Sequence, residues 1–132
     1  INFIKKNLNN YKFKKSDFII SFYTMQFIRP KERQNLINKI FKSLNWGGAF
    51  LLVEKVRSYD ARSQDQMTTI YEEFKLHNGF SEREITAKKK SLKGVLEPFS
   101  TNANIQMLKR SGFKDVSSIA KFICFEGFLA IK

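Results

Sequence analysis

The stretch DFIISFYTMQF, residues 17–27, determines how this chain is organised. Its first half is rich in residues that favour strands, and a second apolar run occupies residues 49–56. The segment between them has helical spacing, so the three together predict a strand–helix–strand unit of the kind that builds parallel sheets. No glycine-rich phosphate-binding loop precedes this unit in the sequence. We therefore expect an α/β fold of which this chain holds the latter part.

The segment between the two strands predicts an amphipathic helix. Pro30 suits its first turn, because proline needs no helical hydrogen bond there. Its apolar side chains are expected to share one face: Leu36, Ile37, Ile40, Phe41 and Leu44. A glycine, Gly47 or Gly48, is expected to end this helix in a left-handed conformation.

The two strands predict where a ligand binds. The strand over residues 17–21 is expected to be buried on both faces, because its apolar run is continuous. Residues 50–53 predict the next buried strand, with Glu54 and Lys55 at its carboxyl end. Ligands of open parallel sheets bind at that end of the strands.

A helical region follows the second strand. Residues 63–78 have helical spacing and stop before Gly79. Ser81 and Glu84 form a capping box, in which the serine accepts from the third amide and the glutamate reaches back. We expect a further helix to start there and to end near Gly94.

The remainder of the chain predicts a short helix and two strands. The helix covers residues 104–111, and the strands cover residues 116–124 and 127–131. Their tight connection requires an antiparallel pair. Residues 1–4 are expected to be the end of another strand, and no linker divides residues 1–132 into two domains.

Composition limits the classes of partner. The 132 residues are 42% hydrophobic, which is enough for the core of one domain. The net charge of +12 makes RNA or another polyanion a candidate partner. The alternative is a general compositional bias, because lysine is spread along the whole chain. Since the first residue is Ile1 and not methionine, we expect the chain to be a fragment.

Other residue types exclude several kinds of site. A single cysteine, Cys124, cannot form an internal disulfide, which fits a reducing compartment and predicts a cytoplasmic protein. No run of eighteen apolar residues or signal-peptide pattern occurs, so we expect neither a membrane span nor secretion. One histidine, one cysteine and scattered carboxylates give no metal-ligand spacing.

The order of these elements resembles a known enzyme fold. A strand, a helix with a Gly-Gly exit, a strand, inserted helices and a terminal antiparallel hairpin resemble the C-terminal half of a class I S-adenosylmethionine-dependent methyltransferase, a Rossmann-like fold. Short motifs resemble more specifically the carboxy-S-adenosylmethionine synthases, which supply the donor for carboxymethylating the wobble uridine of tRNA. These motifs are Thr24-Met25-Gln26-Phe27, Pro30, Glu32-Arg33-Gln34, Leu44-Asn45, Gly47-Gly48, Glu54-Lys55, Asp60-Ala61, Phe74-Lys75, Asn78-Gly79, Ser81-Glu82, Glu84-Ile85 and Gly112-Phe113.

The resemblance implies S-adenosyl-L-methionine, or its carboxy derivative, as the cofactor. In such proteins a glycine loop and an acidic residue bind its methionine and ribose, and both are expected upstream of this chain. The adenine wall of the family, an acid followed by an aliphatic residue, aligns with Asn7 and Leu8. The Asn7 amide could accept from the adenine amino group. The alternative is that Asn7 is only a turn former.

The loop after the first strand is implied to approach the sulfonium of the cofactor. A family asparagine aligns there with Phe22, so an amide contact is replaced by a ring that attracts cations. Tyr23, Thr24 and Gln26 could place hydroxyl and amide groups near a substrate. The alternative for these residues is core packing.

The resemblance also implies a carboxylate-binding residue on the inserted helices. An arginine that holds the added carboxylate in the family aligns with Lys89. Lysine is a point charge and not a bidentate fork, so its recognition of a carboxylate is less directional and ordinary methyl transfer gains support. The alternative is that residues 88–90 form a solvated helix face.

Two further residues have competing interpretations. His77 is the only histidine and hence the only ready general base near neutral pH, but its place at a helix end favours exposed capping. Glu54 could orient a substrate, or it could form an ordinary ion pair with Lys55. The catalytic residues stay unassigned.

Three functions are compatible with the sequence. The first is part of a methyltransferase or a carboxy-transfer synthase that acts on a small molecule, with the visible chain alone inactive. The second is a catalytically inactive remnant that keeps a dimer or binding surface. The third is a basic RNA-binding module, which would need aromatic residues interleaved with arginine on one face. The helical insertion, about residues 60–100, is implied to form a lid or a homodimer contact.

Overall fold

The structure, a computed structural model, describes residues 2–132. The strands in this range are β1 (Ser16–Phe22), β2 (Leu44–Lys55), β3 (Asp115–Phe122) and β4 (Phe125–Ile131). The α-helices are α1 (Pro30–Ser43), α2 (Ala61–His77), α3 (Glu82–Leu92) and α4 (Thr101–Arg110), and short 3-10 turns lie at Leu8–Asn10 and Met25–Phe27.

The four strands form one mixed sheet in the order β1-β2-β4-β3. β1 and β2 are parallel and are joined through α1, which confirms the predicted strand–helix–strand unit. β4 is antiparallel to both β2 and β3, which confirms the predicted C-terminal hairpin. The carboxyl ends of β1 and β2 therefore meet at one edge of the sheet.

One face of the sheet is covered by α1 and α4. Phe50 and Leu52 of β2 and Phe128 of β4 have no exposed surface. They pack in a single core with residues of the two helices, among them Ile37 and Leu108. Burial of this continuous apolar layer is the main stabilising term of the fold.

The opposite face of the sheet is open along β1. Phe18, Ile20 and Phe22 are 52%, 54% and 60% exposed, whereas Ile19, between them, packs against the core. The prediction that β1 is buried on both faces is therefore wrong. A continuous apolar run does not show which faces are covered. β1 is one of the two edge strands of this sheet, and its outer face stays exposed.

The glycines after α1 shape a strand and do not end the helix. α1 ends at Ser43, and Leu44 is already extended and fully buried at the start of β2. Gly47, with φ +72°, lies in a bulge of β2. There the pair Ser16–Leu44 is followed by Phe18–Ala49, so β2 has more residues than its partner. The prediction that a glycine ends this helix is wrong. The helix already ends at Ser43, because the next residue, Leu44, is extended and buried in the sheet.

The remaining elements agree closely with the predictions, with one exception. α2 ends before Gly79, which has φ +88°, and both hydrogen bonds of the Ser81–Glu84 capping box are present at the start of α3. Residues 2–4 belong to no strand, and the part of the predicted strand that falls on Ile1 lies outside the described residues.

Two kinds of structure are not found in the described part of the chain. Among residues 2–132, no helix combines the length and the apolar character that a bilayer crossing requires. In the same range, no group of three or more His, Cys, Asp and Glu side chains is arranged to hold a metal ion.

The open face predicts that the protein binds a dye for apolar surfaces such as anilinonaphthalene sulfonate. We expect the double variant Phe18→Thr/Ile20→Thr to reduce the dye fluorescence, because threonine keeps strand propensity but removes the apolar patch. Its free energy of unfolding should stay within about 0.5 kcal/mol of the parent value, as for other surface changes.

Phe50→Ala, on the covered face of the same sheet, is the matched control. It should lower the free energy of unfolding by about 3–5 kcal/mol, as expected for a large cavity. Unchanged dye fluorescence in the double variant would contradict this description of the sheet.

Candidate functional site

The loop that follows β1 begins with an unusual backbone conformation. Tyr23 has φ +50°, a left-handed value that is uncommon for any residue except glycine. Its N–H donates to the Val53 carbonyl at 2.8 Å, so the chain turns sharply while still attached to β2. Residues held in such conformations cluster at functional sites.

The Glu54 carboxylate fixes the rest of this loop. Glu54 lies near the end of β2 and is only 2% exposed. Its Oε1 accepts hydrogen bonds from the backbone N–H groups of Thr24 (3.1 Å) and Met25 (2.8 Å), and its Oε2 accepts one from Gln26 (3.0 Å). Three amides therefore converge on one carboxylate, and the loop is held at the sheet edge.

Gln26 and Arg33 extend this network. The Gln26 side-chain oxygen accepts a hydrogen bond from the Lys55 N–H at 2.8 Å. Arg33 is buried, and its Nη2 and Nε donate to the carbonyls of Gln26 (3.2 Å) and Ile28 (2.8 Å). Its guanidinium lies 4.3 Å from the centre of the Phe99 ring. The loop is therefore held both by Glu54 of β2 and by Arg33 of α1.

A second buried carboxylate lies opposite the first. Glu126 of β4 pairs with Glu54 across the sheet and is 4% exposed. Like charges in this position repel one another, but Glu126 accepts hydrogen bonds from the hydroxyl groups of Thr101 and Ser118. Each carboxylate therefore has its own donors.

Burial raises the pKa of Glu54 above its ordinary value of 4.5, against the opposing effect of the three amides and of Arg33. The folded protein therefore binds a proton at Glu54 more readily than the unfolded chain does. It follows that the contribution of Glu54 to the free energy of unfolding falls as the pH rises from 4.5 through the raised pKa.

The residues predicted to form a site in the loop after β1 lie together, but some of them are exposed and others are buried. Phe22 is 60% exposed and its ring centre lies 4.2 Å from that of Tyr23, which in turn lies 5.2 Å from that of Phe125. The hydroxyl of Thr24 donates to the Phe22 carbonyl at 3.0 Å. Gln26 is buried against β2, as described above. Phe22 and Tyr23 are therefore the members of this group with accessible rings.

Asn7 and Leu8 lie in a different part of the chain. The Asn7 side-chain oxygen accepts a hydrogen bond from the Asn9 N–H at 3.0 Å and caps the turn Leu8–Asn10. Leu8 packs against the core. Asn7 therefore acts as a turn former, in agreement with the second interpretation of this residue. A contact between Asn7 and a cofactor stays a prediction.

Lys89 is engaged by a neighbouring helix. Its Nζ lies 2.6 Å from Oε1 of Glu72, so α3 is joined to α2 by an ion pair. His77 is exposed at the end of α2, as the capping interpretation expects.

Sequence reasoning missed a group of residues near the end of β2. Lys55 points away from Glu54, and its Nζ lies 5.1 Å from the ring centre of Tyr71 on α2. Lys75 reaches the same ring at 4.5 Å. The predicted ion pair between Glu54 and Lys55 is not formed, because successive strand residues face opposite sides of a sheet. The alternation of Phe50, Leu52 and Glu54 would have indicated that Glu54 is buried.

The three hydrogen bonds to Glu54 predict that removing its carboxylate lowers the free energy of unfolding strongly. We expect Glu54→Ala to lower the free energy of unfolding by about 3 kcal/mol or more, because three amides lose their acceptor. Glu54→Gln keeps one acceptor oxygen and should have a smaller effect. The measurement is urea denaturation at pH 7.

Glu73→Ala is the control, since Glu73 is exposed on α2 and should change stability by less than about 0.5 kcal/mol. An equal effect of Glu54→Ala and Glu73→Ala would show that the carboxylate does not hold the loop.

Comparison with curated proteins identifies relatives along the whole chain. The carboxy-S-adenosyl-L-methionine synthase of Campylobacter lari is 43% identical over 132 residues, all of this chain and 56% of the relative. The synthase of Staphylococcus epidermidis is 39% identical over the same length and is covered to 58%, and that of Desulfotalea psychrophila is 38% identical over 130 residues. The chain thus spans about half the length of the relatives it matches. No protein-family profile matches the sequence.

Solved structures of several methyltransferases share this fold at low sequence identity. Human N-acetylserotonin methyltransferase in complex with S-adenosylmethionine has a TM-score of 0.64 at 14% identity, over 99% of this chain and 33% of that one. An O-methyltransferase family protein from Burkholderia thailandensis has a TM-score of 0.65 at 16% identity, over 99% and 35%. These likenesses establish the class I methyltransferase fold. The chain is thus related in sequence to carboxy-S-adenosyl-L-methionine synthases, over part of their length, and it has the fold of S-adenosylmethionine-dependent methyltransferases.

Proposed function

We propose that this chain is part of an S-adenosylmethionine-dependent transferase that resembles carboxy-S-adenosyl-L-methionine synthases. The observation that carries the proposal is 38–43% identity to synthases of that name along all or nearly all of the chain. The fold supports it, because the loop after β1 and the end of β2 form the sheet edge at which ligands of such folds bind.

The residues at this edge suit part of the proposed cofactor. S-adenosyl-L-methionine, when bound, supplies an electrophilic carbon next to a positively charged sulfur. The exposed rings of Phe22 and Tyr23 attract a cation, since an aromatic face carries negative potential. These two residues would therefore contact the sulfonium, and Glu54 would hold their loop in place. Asn7 and Leu8 would contact the adenine.

We assign substrate binding to Tyr23, Thr24 and Lys89, whereas Gln26, the fourth predicted residue, is buried and would act by holding the loop. The Tyr23 hydroxyl would face a small-molecule substrate at the sheet edge. Lys89 would bind a carboxylate only after its ion pair with Glu72 opens. Because of this cost, Lys89 would bind a carboxylate more weakly than the family arginine does. The transferred group would be either a methyl or a carboxymethyl group.

We also propose that the protein forms a homodimer, contacts tRNA and is located in the cytoplasm. Contact between two copies through the helical insertion, about residues 60–100, is supported by exposed apolar side chains there, among them Ile70, Leu76 and Phe80 at 45%, 42% and 53%. Contact with tRNA is supported by the charge of +12. A cytoplasmic location fits the single free cysteine, Cys124.

Calorimetric titration with S-adenosyl-L-methionine tests the proposed function. Two forms are compared: the 132-residue chain, and a hybrid that joins it to the part of the Campylobacter lari synthase that it does not match. We expect the hybrid to bind the cofactor and the chain alone to show no measurable heat. No binding by either form would contradict the proposal.

Matched variants of the hybrid test the assigned contact. Phe22→Leu should weaken binding by about tenfold, because a desolvated cation–π contact contributes about 1–2 kcal/mol. Phe18→Leu, on the same face of β1 but away from its carboxyl end, should leave the affinity unchanged. Equal affinities of the two variants would remove Phe22 from the cofactor site.

A further inference from the structure

A groove with a volume of about 510 Å³ lies at the amino ends of the two parallel strands. One wall is the segment 9–15, which leads directly into β1, and the other is the C-terminal end of α1, which leads directly into β2. The loop after β1 lies at the opposite ends of these strands. Neither Asn7 nor Leu8, the residues assigned to the adenine, lines the groove. The groove is therefore distinct from the proposed cofactor site.

The groove is strongly basic. The lysines that line it are Lys12, Lys15, Lys39 and Lys42. Its described lining contains no acidic residue, and within residues 2–132 no carboxylate oxygen lies within 4.0 Å of these four ammonium groups. Two acidic residues nearby, Glu32 and Asp17, instead accept hydrogen bonds from the side-chain amides of Asn9 and Asn45. Four positive charges thus share one groove and lack a counterion.

Two of the lysines hold the walls of the groove together. The Lys15 Nζ donates to the Lys42 carbonyl at 3.1 Å, and the Lys39 Nζ donates to the Asn9 carbonyl at 2.6 Å. Each carbonyl occupies one of the three ammonium donors and leaves the charge in place, so two donors of each lysine stay free for a ligand. The groove is therefore formed before any ligand binds.

Aromatic residues alternate with lysines along the first wall, in the sequence Tyr11-Lys12-Phe13-Lys14. Tyr11 and Phe13 are half-buried and both line the groove. Their ring centres lie 5.0 Å apart at an angle of 87°, an edge-to-face contact that covers at most one face of one ring. Nucleic-acid bases stack on such open ring faces.

We propose that this groove binds single-stranded RNA, with phosphates on the lysines and a base stacked on Tyr11. Its volume lies in the range of about 300–1,000 Å³ that holds ligands of the size of a nucleotide. An unpaired strand fits better than a duplex, because its bases are free to stack on a protein ring. A polyanion without bases would contact the lysines only.

This inference rests on the RNA contact proposed above from the charge of +12, and it gives that contact a place on the molecule. It requires neither the cofactor nor turnover. RNA binding by the chain and S-adenosyl-L-methionine binding by the hybrid are measured separately, so either proposal can fail while the other stands.

Fluorescence anisotropy of a labelled oligouridine of about 12 nucleotides, titrated with the 132-residue chain, tests the site. We expect saturable binding with a dissociation constant on the order of 10 µM at ~50 mM salt. The slope of log K against log salt should be about −3, because each of four neutralised phosphates contributes about −0.7. Inorganic polyphosphate of equal length should compete less well than unlabelled oligouridine, because it has no bases.

Paired variants separate the groove from the overall charge. Lys12→Gln/Lys42→Gln, at two exposed positions of the groove, should weaken RNA binding by about tenfold or more and reduce the slope to about −1.4. Lys90→Gln/Lys93→Gln removes the same charge from exposed positions outside the groove and should change the affinity by less than about twofold.

Tyr11→Leu tests the stacked base. It should weaken RNA binding by about tenfold, which is the size of a base–aromatic contact, and should leave polyphosphate binding unchanged. The unchanged polyphosphate affinity also shows that the variant keeps the groove.

Three outcomes would overturn the inference. They are the absence of saturable RNA binding, equal weakening by the two pairs of lysine substitutions, and an unchanged affinity of Tyr11→Leu for RNA.

Discussion

The structure depends on one buried carboxylate that accepts three backbone hydrogen bonds. β1 ends at the sheet edge, and the chain must turn there through the left-handed conformation of Tyr23, which disfavours a residue with a side chain. Glu54 offsets this cost by accepting from Thr24, Met25 and Gln26. A side chain of β2 thus determines the position of the loop that follows β1.

The same strand end connects the core to the surface. Glu54 faces the covered side of the sheet, and its neighbour Lys55 faces the opposite side, towards the Tyr71 ring. The Gln26 side chain joins the two, because its oxygen accepts from the Lys55 N–H. The backbone that carries Lys55 is therefore fixed by the network that fixes the loop. Aromatic contacts from Tyr23 through Phe125 to Tyr71 extend along the same edge.

The sequence predicted those parts of the fold that local patterns determine. The parallel strand–helix–strand unit, the capping box of α3 and the terminal hairpin follow from periodicity, capping chemistry and a short connection, and the structure confirms them. The sequence did not predict the bulge at Gly47. That glycine lies inside a strand only because Leu44 is buried and β2 pairs with β1. Nor could the sequence show that one face of β1 is open, since coverage of a face depends on the rest of the fold.

The candidate site was predictable in position more than in detail. Sheet topology indicated the carboxyl ends of β1 and β2, and Tyr23, Thr24 and Gln26 do lie there. The inward direction of Gln26, the amides around Glu54 and the ion pair of Lys89 depend on contacts between residues far apart in sequence. Such contacts leave no local pattern, apart from the alternation that places Glu54 on the side of Phe50 and Leu52.

Backbone amide hydrogen exchange of Thr24, Met25 and Gln26 tests most directly whether Glu54 holds the loop. The structure predicts that these three amides exchange at least ~100-fold more slowly than the exposed amides of residues 2–6, although all of them lie outside the strands and α-helices. Exchange of the three at the rate of residues 2–6 would show that the carboxylate is not bound to them, and would contradict the account of how this sheet edge is built.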